Sequence, residues 1–246
     1  MEVLNLINGS HLPAEGGKWL DLIDPSKGKS YGRLARSSAV DVEKAVNAAS
    51  DAFEEWRSWS ADKRADCIDK LADKIKENAG MLAEAETRDN GKPIGLASTV
   101  DIPRAEKNLR FYASAIKHFA SESHYMEGVA INYTLRKPLG VVACISPWNL
   151  PLYLFTWKVA PALAAGNCVV AKPSEVTPAT AFLLSQWVKE AGFPDGVFNI
   201  LHGLGTEVGN ALVNHPDIAA VSFTGGTATG AHIASVVAPK FKKLSL

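Results

Sequence analysis

A short loop in the second half of the chain carries an asparagine that could take part in catalysis. In Ser146-Pro147-Trp148-Asn149-Leu150-Pro151, this residue lies between two prolines that stiffen the loop around it. An amide held in this way can donate to a developing oxyanion, a contribution of about 3 to 4 kcal/mol in measured enzymes. The alternative is that Asn149 only satisfies the hydrogen bonds of a turn. The sequence leaves both interpretations open.

A second loop, Lys172-Pro173-Ser174-Glu175, places a lysine and a carboxylate three residues apart across a proline. Such a pair can bracket a ribose, because the carboxylate accepts from both hydroxyls while the lysine donates from the side. Glu175 would favour NAD over NADP, since a 2′-phosphate would face a like charge. The alternative is a surface ion pair worth less than about 1 kcal/mol.

Two glycine-rich segments follow, and either could approach a phosphate. The segment from Gly203 to Gly209 (GLGTEVG) has one residue too many to match the GxGxxG fingerprint, and it could be only a helix start packed on a sheet. In the segment from Phe223 to Gly230 (FTGGTATG), Gly225 and Gly226 free the backbone to approach a ligand at a helix N-terminus. That arrangement suits a pyrophosphate, and the alternative is a plain N-cap by Thr227.

These four segments each follow a short apolar run without polar alternation, and helical stretches separate the runs. The pattern predicts parallel strands covered on both faces, and hence a doubly wound α/β sheet. Because ligands bind at the carboxyl ends of such strands, we expect the four segments to meet in one crevice. The runs extend from Gly140 to Ile145, Cys168 to Ala171, Val197 to Leu201 and Ala219 to Phe223.

The first half of the chain has a different pattern. Residues 1–35 alternate apolar pieces with turn formers and predict a small hairpin meander at the edge of the fold. From Ser38, a possible N-cap, apolar side chains at helical spacing predict a helical layer. We expect helices from Ala61 to about Asn78, from Met81 to Arg88, and, after the break at Asp89-Asn90-Gly91-Lys92-Pro93, a longer one through Leu109, Tyr112, Ile116 and Phe119.

Two further segments predict strands of another kind. Residues from Ile131 to Lys137 alternate apolar and polar side chains, as a half-exposed ribbon does. The last residues, from Lys242 to Leu246, are typical of the opening of another buried strand.

Composition limits the class of protein. The 26 basic residues balance 26 acidic ones, so nothing draws the chain to nucleic acid or an anionic membrane. Three cysteines at irregular spacing fit neither a disulfide framework nor a metal site and favour a reducing, cytoplasmic setting. The apolar stretch from Leu150 to Ala165 is interrupted by Lys158 and Pro161 and is shorter than the ~20 residues that cross a bilayer. We see no export signal and expect a soluble protein that binds a small molecule.

Taken together, the ordered motifs SPWNLP, AAGN-x-VV-x-KPSE, G-x-G and SFTGGT resemble the aldehyde dehydrogenase superfamily. Each motif is weak alone, but four in this order are specific, and the resemblance covers essentially the whole chain. It implies the amino-terminal, NAD-binding half of such an enzyme, with a Rossmann-like, mainly parallel sheet, an N-terminal helical region and a projecting β-arm. The expected parts of this partial domain (1–246) are the meander (1–35), the helical layer (38–120), an oligomerisation arm (125–138) and the NAD-binding sheet (139–246).

The resemblance also implies roles for individual residues. Asn149 matches the oxyanion-stabilising asparagine, Lys172 and Glu175 match adenosine-ribose contacts, and the loop from Phe223 to Thr227 matches the pyrophosphate turn. Gly226 departs from the serine often found there, which removes one hydroxyl contact and keeps the backbone donors. The expected cofactor contacts are Ile145, Ser146, Pro147, Trp148, Lys172, Ser174, Glu175, Gly205, Gly209, Phe223, Thr224, Gly225, Gly226 and Thr227.

Within the superfamily, Asp101-Ile102-Pro103-Arg104 together with SPWNLPLYL and FTGGTATG is most similar to the 2-aminomuconate and 2-hydroxymuconate semialdehyde dehydrogenase branch. We therefore hypothesise that Arg104 binds a substrate carboxylate, since a guanidinium fork recognises that group bidentately. The alternative is an ordinary exposed arginine on a helix.

The resemblance places the glutamate base and the cysteine nucleophile beyond Leu246, the base in an ELGGK motif and the nucleophile in another domain. Cys67, Cys144 and Cys168 are expected to be small buried hydrophobes. We therefore expect a segment of an NAD-dependent dehydrogenase that oxidises an aldehyde, with self-association through the arm. The alternative is an inactive module that binds a nucleotide or a full-length subunit.

Overall fold

The computed structural model describes residues 1–246, and the first 35 of them form strands in two different sheets. Asn8 and Gly9 join β2 to β3, and both have the positive φ that a tight hairpin turn needs. This hairpin extends the edge of the main sheet, whereas β1, β5 and β4 form a small sheet of their own. The strands are β1 (Glu2–Val3), β2 (Asn5–Ile7), β3 (Ser10–Leu12), β4 (Trp19–Asp24) and β5 (Lys29–Ala35).

A helical layer follows, and its first helix begins where the sequence predicts. The Ser38 hydroxyl accepts from the backbone N–H of Val40, while the Asp41 carboxylate accepts from the N–H of Ser38. This reciprocal capping confirms Ser38 as the N-cap. The helices are α1 (Ala39–Ser58), α2 (Ala61–Glu77), α3 (Ala79–Asn90), α4 (Ile94–Leu96) and α5 (Ile102–Lys117).

Three details of this layer differ from the sequence-based expectation. Helix α3 extends two residues beyond the predicted bounds at each end, and it stops at Gly91, which has a left-handed φ of 80°. A π-helical segment, Ala97–Asp101, connects α4 to α5 without a break. Phe119 lies past the end of α5 and is exposed, so the predicted helix was too long at its C-terminus.

The second half alternates strands and helices, as predicted. Strands β8 to β12 are parallel, and the main sheet has the order β12-β11-β8-β9-β10-β2-β3. Every residue of β8 and β9 is buried, which requires cover on both faces because successive side chains point to opposite sides. The doubly wound, mainly parallel α/β fold is thus confirmed. The elements are β6 (Ser123–Met126), β7 (Ala130–Tyr133), β8 (Val141–Ile145), α6 (Pro151–Ala164), β9 (Cys168–Lys172), α7 (Ala179–Ser185), β10 (Phe198–Ile200), α8 (Asn210–Asn214), β11 (Ile218–Phe223), α9 (Thr227–Val237) and β12 (Lys243–Ser245).

Two segments are more exposed than the sequence predicts. Strands β6 and β7 form a hairpin in which every residue is exposed, because no other element of the chain packs against it. The expectation of a half-exposed ribbon was therefore wrong. Strand β12 does pair in parallel with β11, but it is the edge strand of the sheet and two of its three residues are exposed rather than buried. No helix has both the length and the apolar character needed to span a membrane.

Candidate functional site

A groove of about 750 Å³ opens at the carboxyl ends of the parallel strands. Backbone hydrogen bonds continue past the strand ends and hold the loops side by side. The N–H of Ser146 donates to the carbonyl of Lys172 at 3.1 Å, and the N–H of Thr224 donates to the carbonyl of Ile145 at 3.2 Å. The loops after β8, β9 and β11 therefore share one crevice, and the turn before α8, a π-helical segment (Gly205–Gly209), also lines it.

All the expected cofactor contacts except Thr227 line this groove. Thr227 is the first residue of α9, is exposed and makes no capping hydrogen bond. Further lining residues lie in or directly before the helical segments that follow the loops, and the sequence did not predict them. Residues three or four positions apart share one face of a helix, so counting in these steps from each loop would have identified most of them. The further lining residues are Leu204, Thr206, Asn210, Val213, Ala228, Thr229, His232 and Ile233.

The Lys172 and Glu175 pair lies at one side of the groove. Lys172 Nζ donates to Glu175 Oε2 at 2.9 Å and to the Pro173 carbonyl at 3.0 Å, and Lys172 is only 2% exposed. Burial lowers the pKa of Lys172, although Glu175 opposes that effect. Burial also acts to raise the pKa of Glu175, but the Lys172 charge and hydrogen bonds, including one from the Gly205 N–H, outweigh it and leave this pKa below its usual value. Lys172 and Glu175 therefore form a largely buried ion pair and not a surface ion pair.

Asn149 is exposed and follows Trp148, which lines the groove. Two side-chain hydrogen bonds hold the backbone of its loop. The side-chain amide of Asn90 donates to the Trp148 carbonyl at 2.8 Å, and Lys92 Nζ donates to the Asn149 carbonyl at 3.2 Å. The loop therefore has a defined backbone, and the side chain of Asn149 remains free to meet a ligand.

A buried cluster of charged side chains supports this loop, and sequence reasoning did not find it. Lys92 Nζ donates to Glu86 Oε1 at 3.0 Å and to the Asp101 carboxylate, and all three residues are buried. The backbone N–H of Leu152, in the first turn of α6, donates to Glu86 Oε2 at 3.4 Å. Burial raises the pKa of Glu86 to about 7, and the Lys92 charge opposes this. The three charged residues are close in sequence but lie on α3, in the turn after it and at the end of the π-helical segment, so their pairing depends on how these elements and α6 pack.

Lys158 is a further residue that the sequence analysis did not assign to the site. It lies on α6, is buried, and donates to the Thr224 hydroxyl in the groove wall. Burial lowers its pKa. A single lysine within the apolar stretch from Leu150 to Ala165 was a usable signal, because a buried cation needs a polar partner.

Two observations test whether the groove suits a dinucleotide. The Ser146 hydroxyl is buried in the groove wall and has no hydrogen-bond partner within the chain. A Cβ atom built on Gly226 meets nothing within 4 Å, so space remains where the backbone approaches the N-terminus of α9. A free hydroxyl, an open glycine and a helix N-terminus together suit a phosphate group, and the Glu175 carboxylate suits ribose hydroxyls.

Arg104 does not line the groove. It lies on α5, is exposed, and its guanidinium carbon is 5.6 Å from the centre of the Tyr153 ring on α6. Tyr153 is four residues beyond Asn149, so Arg104 approaches the helix that the Asn149 loop precedes.

None of the three thiols suits a nucleophile. Cys67, Cys144 and Cys168 are all buried and unbridged. Burial raises the pKa of Cys144 and of Cys168 to about 12, and it raises that of Cys67 as well. Since the thiolate is the reactive form, these residues act as small apolar side chains.

Comparison with known proteins agrees with this geometry. Residues 11–246 match the family model described as "Aldehyde dehydrogenase family". The chain is 48% identical to 2-aminomuconic semialdehyde dehydrogenase from Bos taurus and 41% identical to 2-hydroxymuconic semialdehyde dehydrogenase from Pseudomonas sp. (strain CF600). These matches cover 98% and 99% of this chain but 50% and 51% of the two relatives, so the chain spans about half their length.

Solved structures give the same result. An aldehyde dehydrogenase from Bacillus cereus, solved as an NAD⁺ complex, is 39% identical and superposes with a TM-score of 0.97. PnpE in complex with nicotinamide adenine dinucleotide is 38% identical, with a TM-score of 0.96. Each match covers 99% of this chain and 50% of the other. The chain therefore belongs to the aldehyde dehydrogenase family.

Proposed function

We propose that the complete protein is an NAD-dependent aldehyde dehydrogenase and that this chain supplies its cofactor groove and its oxyanion-binding asparagine. One observation carries the proposal. The loops after β8, β9 and β11 and the turn before α8 meet in a single groove that combines an ion-paired carboxylate, an open glycine and a helix N-terminus. The relatives named above act on semialdehydes, and the similar solved structures contain NAD.

In this proposal each part of the groove has a separate task. Glu175, held by Lys172, accepts from the hydroxyls of the adenosine ribose. The backbone of Gly225 and Gly226 and the N-terminus of α9 bind the pyrophosphate. Bound NAD supplies the hydride acceptor. Asn149 donates its side-chain amide to the aldehyde oxygen, where negative charge develops during oxidation.

For the substrate, we propose a carboxylated semialdehyde. Arg104 is exposed near the Asn149 loop, and its fork of donors suits a carboxylate. In a full-length relative with arginine at this position, exchange for alanine should raise the KM for a carboxylated aldehyde far more than for a neutral one. An equal increase in KM for both aldehydes would refute the proposal that Arg104 binds a substrate carboxylate.

The chain alone fits a second role, that of an NAD-binding module without catalysis, because it offers no reactive thiol.

We also propose self-association through the exposed β6–β7 hairpin, because no other part of the chain covers its apolar side chains. Sedimentation of the chain and of an Ile131→Lys variant tests this proposal, because a charge on the hairpin should weaken the association.

We propose a cytoplasmic location, because a reducing compartment suits the three free thiols.

The cofactor assignment is tested by titrating the chain with NAD in a calorimeter. We expect saturable binding, and we expect Gly226→Leu to abolish it, because the new side chain enters the open space at the phosphate position. Gly80→Leu is a suitable control, since Gly80 also has open space around a new Cβ but lies outside the groove. Absence of NAD binding to the unmodified chain, or equal binding by Gly226→Leu, would refute the proposal.

A further inference from the structure

The last residues of α3 and the turn that follows it, residues 89–93, anchor other elements with their polar side chains. Asp89 accepts from the backbone N–H of Ala179 at 2.7 Å and from the hydroxyl of Tyr31. Asn90 and Lys92 are directed to the loop before α6. Gly91, with its positive φ, lies between these two side chains and allows the chain to turn sharply.

Asn90 and Lys92 hold two consecutive carbonyl groups. The amide of Asn90 donates to the carbonyl of Trp148, and Lys92 Nζ donates to the carbonyl of Asn149. These carbonyls belong to the peptide planes on either side of the Asn149 Cα atom. Because the two planes define φ and ψ of Asn149, holding both determines the direction of its Cα–Cβ bond.

Lys92 is itself held firmly. Its ammonium also donates to Glu86 and to Asp101, and the side chain of Lys92 is 7% exposed while those of Glu86 and Asp101 are 0% and 1% exposed. Asp101 ends the π-helical segment, and π-helical turns of this kind often occur at functional sites. Two carboxylates surround one ammonium, so the cluster carries no excess positive charge. The cluster therefore positions the loop and does not create a positive electrostatic potential there.

We propose that Asn90 and Lys92 are positioning residues that determine how Asn149 presents its amide to the reacting oxygen. The inference rests on the proposed role of Asn149. It adds that residues 89–93, which lie outside the groove, determine the geometry of Asn149, the residue that follows the groove-lining Trp148. Hydrogen-bond donors to an oxyanion must be placed before the reaction, so a loose backbone at Asn149 would weaken their effect.

The test uses the chain labelled with ¹⁵N-asparagine, with the Asn149 signals assigned by their loss in Asn149→Ser. We expect Asn90→Asp, which replaces the donor by an acceptor of equal size, to shift the backbone and side-chain signals of Asn149. We also expect these signals to broaden by about two-fold or to split, as exchange on the μs–ms timescale requires. Asn214→Ala, which removes an exposed asparagine bonded to the Asn210 carbonyl, serves as the control and should leave Asn149 unchanged.

Lys92→Met leaves two buried carboxylates unpaired and could prevent folding. The triple variant Glu86→Gln/Lys92→Met/Asp101→Asn keeps the volume without the charges and still removes the bond to the Asn149 carbonyl. It should also change the Asn149 signals. Unchanged Asn149 signals in Asn90→Asp or in the folded triple variant would overturn the proposal, and so would equal changes at the core residue Asn199. NAD titration of the same variants should give affinities close to that of the unmodified chain, so a failure of cofactor binding is recognised separately.

Discussion

The Nζ atom of Lys172 lies 2.9 Å from the Oε2 atom of Glu175 at the side of the groove, and the lysine is almost completely buried. The glutamate is therefore kept ionised and oriented before any ligand binds. A carboxylate prepared in this way can accept from ribose hydroxyls without reorganisation.

We expect Glu175→Gln to weaken NAD binding by about ten-fold, because hydrogen bonds to a charged acceptor contribute about 1.5 to 3 kcal/mol. The same change should narrow the preference for NAD over NADP, since it removes a charge that repels the 2′-phosphate. Calorimetric titration with both nucleotides measures this. Glu190→Gln, at an exposed glutamate paired with Lys74, is the control, and an equal loss of affinity in both variants would contradict the expectation.

Gly226→Ser should strengthen NAD binding by several-fold. The backbone of Gly226 has φ and ψ values of −67° and 145°, which any residue can adopt, and a new side chain meets no neighbour. A hydroxyl here adds a donor near the pyrophosphate, worth about 0.5 to 1.5 kcal/mol. An unchanged affinity, with an unchanged melting temperature, would show that the pyrophosphate does not approach this turn.

His202 should limit the stability of the chain in acid. It is 1% exposed, neither ring nitrogen has a hydrogen-bond partner, and burial, with a smaller effect of Lys172, lowers its pKa from 6.5 to about 3. Between pH 6.5 and about pH 3, His202 is protonated in the unfolded chain but stays neutral in the folded chain. The free energy of unfolding therefore decreases as the pH falls below 6.5. The loss attributable to this residue is about 2 kcal/mol at pH 5.

His202→Leu should therefore flatten the dependence of the unfolding free energy on pH in this range. Denaturant titrations at pH 7 and about pH 5 measure the difference. His118→Leu, at an exposed position, is the matched control. The same pH dependence in His202→Leu as in the unmodified chain would contradict the assignment.

Lys92→Met should destabilise the chain by about 3 to 5 kcal/mol, because it leaves Glu86 and Asp101 buried without a counter-charge. Neutralising both carboxylates in the same variant should restore most of the lost stability. Thermal and denaturant unfolding of the single and triple variants measures this recovery. If the single variant is as stable as the unmodified chain, the cluster is not ionic as described.

The isolated chain should bind NAD without oxidising aldehydes. Its three thiols are buried and their pKa values are raised, so no thiolate is available to attack a carbonyl. The absorbance of reduced nicotinamide, followed with a semialdehyde and with a neutral aldehyde, checks this. Turnover that survives Cys67→Ser, Cys144→Ser and Cys168→Ser together would reveal a different catalytic group.

The groove was predictable because its residues lie in short segments directly after strands. The apolar runs before Ser146, Pro173 and Thr224 indicated strands, and parallel strands bring their carboxyl ends together whatever the details of packing. The same local logic identified Ser38 as a helix cap, since capping depends on residues only a few positions apart. The exposure of the hairpin β6–β7 and of the edge strand β12 was predicted less well. Their alternating or apolar patterns indicate strands, but such a pattern does not show whether another element covers the strand.

The sequence by itself determined the order of strands and loops along the chain, most of the residues that line the groove, and the family, because these depend on local patterns and on the chain's own order. Only the tertiary structure decided that Asn90 and Lys92 reach the carbonyls beside Asn149, and that Glu86 and Asp101 enclose Lys92. The contacts with the Asn149 loop join residues 57 and 58 positions apart. Those of Lys92 with Glu86 and Asp101 span only 6 and 9 positions but join separate elements, so both kinds of contact follow from packing that no short-range pattern encodes.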